Sequence, residues 1–391
     1  EVVQLELPET PTAEELTRTL EAAAERVRGR IVLVGSHAAV PVAFNEPARR
    51  WDLDELQARF RPVNPAPAPQ RPQTGTPPGR LSAAEVNERV DRFLRDRGAL
   101  GRLNDAGRAH GQIRAFHNRT FDVNRAVPTV VLRNEDFGRI ARLLRGGRTV
   151  EVELDIVNRL HEDGRTAYNV VAEIPGTDRA HEVVMLGAHL DSWHAATGAT
   201  DNATGSAAML EAVRILTAIG VQPRRTIRIA LWSGEEQGLL GSRAYVEQHF
   251  GSFESPRPGY EHFAGYLNID TGTGRVRGLT VFGPDEAAEM LREIVAPLAD
   301  LGVIGATNTK SRRRGGTDST SFNAAGLPGI GTLLDPIEYQ SHTWHTNLDT
   351  YERIVEDDVK AQAIVAASVV YQLAMHDRKL PRFSKETMPE P

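Results

Sequence analysis

Residues 183–191 read VVMLGAHLD, and the predicted fold is built around this segment. Its apolar run is typical of a buried strand, and the run ends in a histidine and an aspartate. Two comparable stretches follow: residues 227–236 read IRIALWSGEE, and residues 264–270 read AGYLNID. Both of these runs also end in acidic residues. The sequence therefore predicts three buried strands whose far ends carry polar side chains.

Helical periodicity fills the segments around these strands. We predict helices at residues 202–219, 239–250, 287–301 and 355–375, and further strands at residues 279–282 and 330–334. Strands that alternate with helices in this way predict the α/β class, with a mostly parallel, partly mixed sheet covered by helices on both faces. A hairpin is predicted to precede them, with strands at residues 150–157 and 167–174 and a turn at residues 162–164.

The first part of the chain predicts a second, smaller domain. We expect two domains because 391 residues exceed the size at which one hydrophobic core usually stops growing. Gly146-Gly147 is the best boundary, which gives domains at residues 1–147 and 148–391. Within the first domain we predict an amphipathic helix at residues 14–27, a strand at 31–34, a proline-crowded loop at 62–78 and a helix at 82–97.

Composition excludes several classes of protein. The formal net charge is -6 and the basic residues are spread along the chain, which argues against a nucleic-acid partner. No run of about 18 apolar residues occurs, so no membrane span is expected. The chain has no cysteine, so any metal must be held by histidines and carboxylates. Because the first residue is Glu1 and not Met, we expect a processed chain, with residues upstream and a removed signal peptide, that is secreted or periplasmic.

The three strand ends are expected to meet at one place. Ligands of open α/β sheets bind outside the carboxyl ends of the strands, where His189, the pair Glu235-Glu236 and Asp270 would converge. A loop after the first strand leads to Asp201 at the start of a helix, and a late loop carries His345. These side chains are the candidate functional residues.

Their chemistry indicates a metal site. In an extended segment residues two apart face the same side, so Asp191 could orient the imidazole of His189. Glu235 and Glu236 are adjacent and should point apart, which suits one ligand and one free base. Several carboxylates near one point repel each other without cations, so two divalent ions are expected, about 3.5–4 Å apart. Zinc is the leading candidate for mixed nitrogen and oxygen ligands, with manganese or cobalt as alternatives.

Each residue also has an ordinary explanation. Glu235-Glu236 and Asp201 could be carboxylates at helix starts, where they are favoured without any metal. His194 and His342 lie close to the candidate ligands but are expected to be loop residues. The run at residues 312–314, RRR, could bind a carboxylate, although a solvated loop is commoner. Only the joint pattern favours a metal site, and the absence of G-x-S-x-G disfavours a serine hydrolase.

The motifs that carry these residues resemble the M28 family of metallopeptidases, and its carboxypeptidase Q-like branch in particular. In that branch a protease-associated (PA) domain accompanies the zinc peptidase domain. The resemblance covers roughly residue 29 to the C-terminus and is strongest in the segments HLDSW at 189–193, GATDNATG at 198–205, WSGEEQG at 232–238, NID at 268–270 and HTNLDT at 345–350. Residues 98–110 and 127–140 are similar to a PA domain, which makes residues 1–147 the PA-like part.

The resemblance implies a role for each motif residue. His189 and Asp270 would bind one Zn²⁺, Glu236 and His345 the other, and Asp201 would bridge the two. Glu235 would be the general base and Asp191 would orient His189. Tyr339 could donate a hydrogen bond to the reaction's oxyanion.

The implied function is an exopeptidase that hydrolyses small unblocked peptides. Two alternatives stay open: a single-zinc acyltransferase of the glutaminyl cyclase kind, and a binding module without catalysis. Neither the direction of attack nor the oligomeric state follows from the sequence.

Overall fold

The chain forms two compact units, each built on a parallel-rich sheet. The computed structural model describes residues 1–47, 49–60, 76–114, 122, 124–159, 161, 163–164 and 166–391. The first unit comprises Glu1–Asn45 and Pro69–His161, and the second comprises Glu46–Ala68 and Glu162–Pro391. Most of the predicted proline-crowded loop, and Glu162 of the predicted turn, lie outside the described residues. The division into a PA-like domain at 1–147 and a zinc-peptidase domain at 148–391 stays a prediction.

The first unit is a small parallel α/β sheet. Its strands lie in the order β1 (Val2–Leu5), β2 (Ile31–Val34), β3 (Gly101–Asp105) and β4 (Thr129–Leu132). Its helices are α1 (Ala13–Val27), α3 (Ala83–Asp96) and α4 (Asn134–Arg145). Helices α1 and α3 each begin in a capping box, Thr12 with Glu15 and Ser82 with Glu85, which satisfies backbone amides that the first turn leaves free. The predicted helices at 14–27 and 82–97 and the strand at 31–34 are confirmed.

The second unit carries a seven-stranded mixed sheet in the order β10-β9-β11-β8-β6-β7-β5. The strands are β5 (Val170–Ile174), β6 (Arg179–His189), β7 (Arg225–Trp232), β8 (Phe263–Asn268), β9 (Val276–Phe282), β10 (Gly305–Thr309) and β11 (Gly329–Leu334). The helices are α2 (Leu53–Phe60), α5 (Thr204–Ala218), α6 (Leu240–His249), α7 (Asp285–Val295), α8 (Ser319–Ala324) and α9 (Glu356–Met375). The sheet is antiparallel at the β5–β7 and β11–β9 pairs and parallel elsewhere.

Helices cover both faces of this sheet, as predicted. Along β6, Val184, Leu186 and Ala188 belong to one core, which they share with apolar residues of α5, α7 and α9. Val183 and Met185 belong to the core on the opposite face, with α6 and α8. The alternation follows from the two-residue period of a strand. The predicted fold class is confirmed.

No helix in the described part of the chain is long and apolar enough to cross a membrane.

The predicted hairpin is wrong. Residues 150–157 form no strand, and β5 pairs with β7, antiparallel, instead of with them. The alternating pattern has another cause: Val150, Val152 and Leu154 pack against the core of the first unit, while the residues between them face solvent. One-sided burial produces the same period-two pattern as a half-buried strand, without a hydrogen-bonded partner.

An early segment that the sequence analysis missed belongs to the second unit and packs on its sheet. We call residues 49–60, which end in α2, the docking segment. The amide of Trp51 donates to Asp335 Oδ1 at 3.0 Å, and its indole N–H donates to the carbonyl of Leu334 at 2.7 Å. The tip of the Phe60 ring packs against Gly278 of β9, since a Cβ built on Gly278 would lie 2.1 Å from it. The segment is thereby anchored to β9 and to the chain that follows β11.

We predict that Phe60→Ala destabilises the second unit by about 3–5 kcal/mol, because it leaves a cavity against β9. The matched control is Tyr351→Ala in the same unit: Tyr351 is 80% exposed whereas Phe60 is 5% exposed, so the control should stay within about 0.5 kcal/mol of the parent. Urea unfolding followed by tryptophan fluorescence reports on this unit, because Trp51, Trp193, Trp232 and Trp344 all belong to it. Equal midpoints for the two variants would show that the docking segment contributes no stability.

Candidate metal centre

The three predicted strand ends meet at one edge of the sheet. Strand β6 lies between β7 and β8 and runs parallel to both, so their carboxyl ends coincide. His189 is the last residue of β6, Glu236 follows β7 and Asp270 follows β8. The strand topology alone therefore brings a histidine and two carboxylates together.

Two loops add the other candidate ligands. Asp201 lies in a turn, Ala199–Ala203, just before α5; the backbone at Asp201 and Asn202 is not helical, and a cis peptide bond joins these two residues. His345 follows a second turn, Tyr339–Thr343. The side chain of Asn202 donates to the carbonyl of Ile269 at 2.9 Å, which ties the Asp201 loop to the end of β8.

The five candidate ligands form two groups that share Asp201. One group is His189, Asp201 and Asp270, and the other is Asp201, Glu236 and His345; within each group the ligand atoms lie within 4.8 Å of one another. Nε2 of His189 lies 3.2 Å from Oδ1 of Asp201, and Nε2 of His345 lies 3.1 Å from Oδ2. The two oxygens of Asp201 therefore face different histidines.

Asp191 holds the loop that carries the two glutamates. Its Oδ1 accepts from the amide of Glu235 at 3.1 Å, and its Oδ2 accepts from the amide of Glu236 at 3.2 Å. Nδ1 of His189 lies 2.8 Å from the main-chain oxygen of Asp191 and 3.8 Å from its carboxylate. The main-chain oxygen thus fixes the ring, since 3.8 Å is beyond hydrogen-bond range.

Asp349 holds the loop that carries Asp201, as Asp191 holds the glutamate loop. The sequence analysis assigned Asp349 no role. Its two carboxylate oxygens accept from the amides of Thr200, at 2.6 Å, and Asp201, at 3.1 Å. Asp349 is buried, and this burial raises its pKa. Its position inside the HTNLDT segment was the available signal, four residues after His345.

Trp193 is a second contact that sequence reasoning missed. Its indole N–H donates to Oε2 of Glu236 at 2.7 Å, and its ring lies 6.0 Å from that of His345. Groups that hydrogen-bond to a ligand fix its orientation and tune its basicity. The HLDSW segment contains Trp193, but nothing in its spacing shows which carboxylate it would contact.

The charges of the cluster are unbalanced without cations. Burial, and next the charge of Asp270, raise the pKa of Glu235 to about 9. Burial also raises the pKa of Glu236. Burial disfavours charge on His189, but Asp270 and Asp201 outweigh it and raise its pKa well above the usual value. The charge of this cluster must therefore be compensated by protons or by positive ions.

Buried polar atoms of the cluster that lack a partner also indicate a site for cations. His189 Nε2, Asp201 Oδ2 and Glu236 Oε1 are buried, and none makes a hydrogen bond to another described residue with acceptable geometry. Buried polar atoms normally have a partner. Two imidazoles and three carboxylates are also the donor types that zinc prefers, so the residues present fit divalent cations.

The other candidates fall outside the two ligand groups. Tyr339 is buried, and its hydroxyl interacts with the carboxylate of Asp201; burial, followed by this charge, raises its pKa. His194 is exposed, and Nδ1 of His342 lies 2.9 Å from the hydroxyl of Ser341. Arg312 is buried and pairs with Glu254 at 2.7 Å, so it is a structural residue and not part of a solvated loop.

A mixed α/β sheet with a cluster of histidines and carboxylates at its strand ends defines a class of metal-dependent enzymes. Residues 169–370 match the family model of peptidase family M28. The chain belongs to peptidase family M28, as the resemblance of its motifs indicated.

Individual relatives are consistent with membership of this family. Carboxypeptidase Q of Mus musculus is 31% identical over 257 residues, which are 66% of this chain and 52% of that protein. The chain thus spans about half the length of the curated relatives that it matches. A peptidase M28 precursor from Shewanella amazonensis SB2B has a TM-score of 0.63 at 23% identity, over 98% of this chain and 76% of its own. BSAP, a zinc aminopeptidase from Bacillus subtilis, has a TM-score of 0.56 at 17% identity, over 98% of this chain and 77% of its own. These two structures show a shared fold.

We predict that Asp349→Asn weakens zinc binding by about 10–100-fold, the usual effect of removing a group that orients a ligand. Asparagine places an NH₂ group where one of the two accepting oxygens stands, so the amide of Thr200 or of Asp201 loses its acceptor and the shared ligand loses its fixed position. Competition with a chromophoric chelator measures the affinity. The matched control is Asp300→Asn at an exposed position, which should bind zinc like the parent. Unchanged affinity in Asp349→Asn would refute the positioning of Asp201 by this carboxylate.

Proposed function

We propose that this protein is a dinuclear zinc exopeptidase. The observation that carries the proposal is the pair of ligand groups that share Asp201, with one carboxylate oxygen facing each histidine. His189 and Asp270 would hold one ion, Glu236 and His345 the other, and Asp201 both. Such ions act as Lewis acids and lower the pKa of bound water from about 15.7 toward roughly 7.

The choice of zinc rests on the donors and on the similar fold of BSAP, which is a zinc aminopeptidase. Manganese or cobalt would accept the same ligands.

Glu235 is the proposed general base. It belongs to neither ligand group, yet the charges of Asp270, His189 and Glu236 all act on it. It would take a proton from the attacking water and deliver it to the leaving amine. Its raised pKa, about 9, describes a cluster without cations. Bound cations favour the ionised form of a neighbouring carboxyl and so lower this pKa, which frees Glu235 to act as a base near neutral pH.

Asp191 supports this mechanism as a positioning residue. Its carboxylate accepts from the amides of both glutamates, so it fixes the base and one ligand in the same loop. Tyr339 is a candidate donor to the oxyanion, since its buried hydroxyl lies beside Asp201.

The proposed substrates are small peptides with a free amino terminus. The named relatives include a carboxypeptidase and an aminopeptidase, which supports attack at a chain end. A positively charged α-amine is attracted by the carboxylates of the cluster, and this favours the aminopeptidase or dipeptidase direction. A secreted or periplasmic location stays a prediction.

Two ligand groups favour this function over the alternatives. A single-zinc acyltransferase needs one group of three ligands, whereas this cluster offers two. A binding module without catalysis has no use for a half-buried glutamate beside the ligands that is not itself a ligand.

We predict that Glu235→Gln keeps both zinc ions but lowers kcat by about 10²–10⁴-fold, because it removes the proton acceptor. Glu236→Gln is the matched variant at the adjacent position and should lose one ion as well as activity. Elemental analysis and peptide hydrolysis measure the two properties separately. Near-normal turnover by Glu235→Gln would exclude Glu235 as the base.

We also predict that unblocked dipeptides are cleaved and that N-acetylation of the same dipeptides abolishes cleavage. Acetylation removes the charge that the carboxylates attract. Amidation of the carboxyl end is the control for blocking as such and should have a smaller effect. Equal rates for free and acetylated dipeptides would contradict recognition of the amine and favour a carboxypeptidase or an acylase.

A further inference from the structure

The second unit has a basic pocket that contains none of the proposed metal ligands. Its volume is about 380 Å³. Helix α6, residues 251–257 and the chain around α8 form its walls. Its polar lining includes Arg243, Ser252, Ser255, Arg257, Arg314 and Ser321. We call this cavity the arginine pocket.

The arginine pocket is positive in a protein that is negative overall. It is lined by three arginines and one carboxylate, that of Glu247, whereas the chain has a net charge of -6. Within the described ranges, no carboxylate forms an ion pair with Arg243, Arg257 or Arg314. Arg312 behaves differently, because Glu254 and the carbonyl of Ala324 occupy its guanidinium. Among the described residues, no carboxylate therefore occupies these three guanidinium groups, and Arg243 keeps further N–H groups for an anion beside its bond to the carbonyl of Gly238.

The pocket is connected to the loop that carries the proposed base. Nη1 of Arg243 donates to the carbonyl of Gly238 at 3.3 Å, two residues after Glu236. On the other wall, the hydroxyl of Ser321 lies 2.8 Å from that of Ser242 in α6. Arg314 lies four residues before Asp318, whose charge acts on Glu235. Four residues span at most roughly 14 Å, so the Cα of Arg314 lies no farther than that from the Cα of Asp318.

We propose that the arginine pocket binds a carboxylate of the peptide substrate, from an acidic side chain or from the free C-terminus. This proposal rests on the proposed peptidase function and adds a substrate class to it. Guanidinium groups match carboxylates in geometry and bind them through paired hydrogen bonds. The hydroxyls of Ser252 and Ser255 are further donors at the wall. The enzyme accordingly prefers peptides that carry a carboxylate beyond the bond that it cleaves.

Peptide kinetics test the proposal with two matched pairs. Leu-Ala-Ala against Leu-Ala-Ala-amide isolates the terminal carboxylate, and Leu-Glu-Ala-amide against Leu-Gln-Ala-amide isolates the acidic side chain. The parent should show a KM roughly tenfold lower for the charged member of at least one pair. In the double variant R257A/R314A this ratio should fall to about one. The control is R313A, an exposed arginine that does not line the pocket and should keep the parental ratio.

A binding measurement separates this proposal from the proposed catalysis. Glutarate is titrated by calorimetry into the zinc-loaded parent, R257A/R314A and R313A; glutarate held at the metal centre would contribute equally to all three. Weaker binding by R257A/R314A alone supports the pocket even if no peptide is hydrolysed. Equal glutarate binding by the parent and R257A/R314A, or a charge preference in the kinetics that survives in this variant, would overturn the proposal.

Discussion

The structure depends on the close approach of several buried carboxylates at one point. Asp201 lies between His189 and His345, and Asp270 and Glu236 complete the two groups around it. Like charges at this spacing, withdrawn from water, repel strongly unless protons or cations compensate them. Burial, and after it the charges of neighbouring carboxylates, raise the pKa values of Glu235 and Glu236. The surrounding fold has to hold the groups together against this repulsion.

Hydrogen bonds from backbone amides to two further carboxylates hold these groups together. Asp191 accepts from two consecutive amides of the glutamate loop, and Asp349 accepts from two consecutive amides of the Asp201 loop. A carboxylate that accepts two amides fixes the direction of both peptide groups, and with it the side chains that they carry. The candidate ligands on loops are thus held as firmly as those on strands, which is what a metal site requires of its ligands.

The sequence predicts the sheet and the convergence of its ligands well, because both follow from local patterns. Apolar runs that end in His189 or Asp270 specify parallel strands, and parallel strands share an edge. The predicted hairpin strand at residues 150–157 is wrong because one-sided burial produces the same alternating pattern as a strand. The docking segment, and the contacts of Trp193 and Asp349, were missed because each joins residues far apart in the chain. No local periodicity reports that the indole of Trp193 reaches Glu236.

The central claim is that Asp201 is shared by two metal ions, and diffraction at the zinc absorption edge tests it most directly. Crystals grown with zinc, measured above and below the edge, should give two anomalous peaks about 3.5–4 Å apart. One peak should lie on His189 and Asp270, the other on Glu236 and His345, with Asp201 in contact with both. A single peak at full zinc loading, or two peaks of which Asp201 contacts one, would contradict the account.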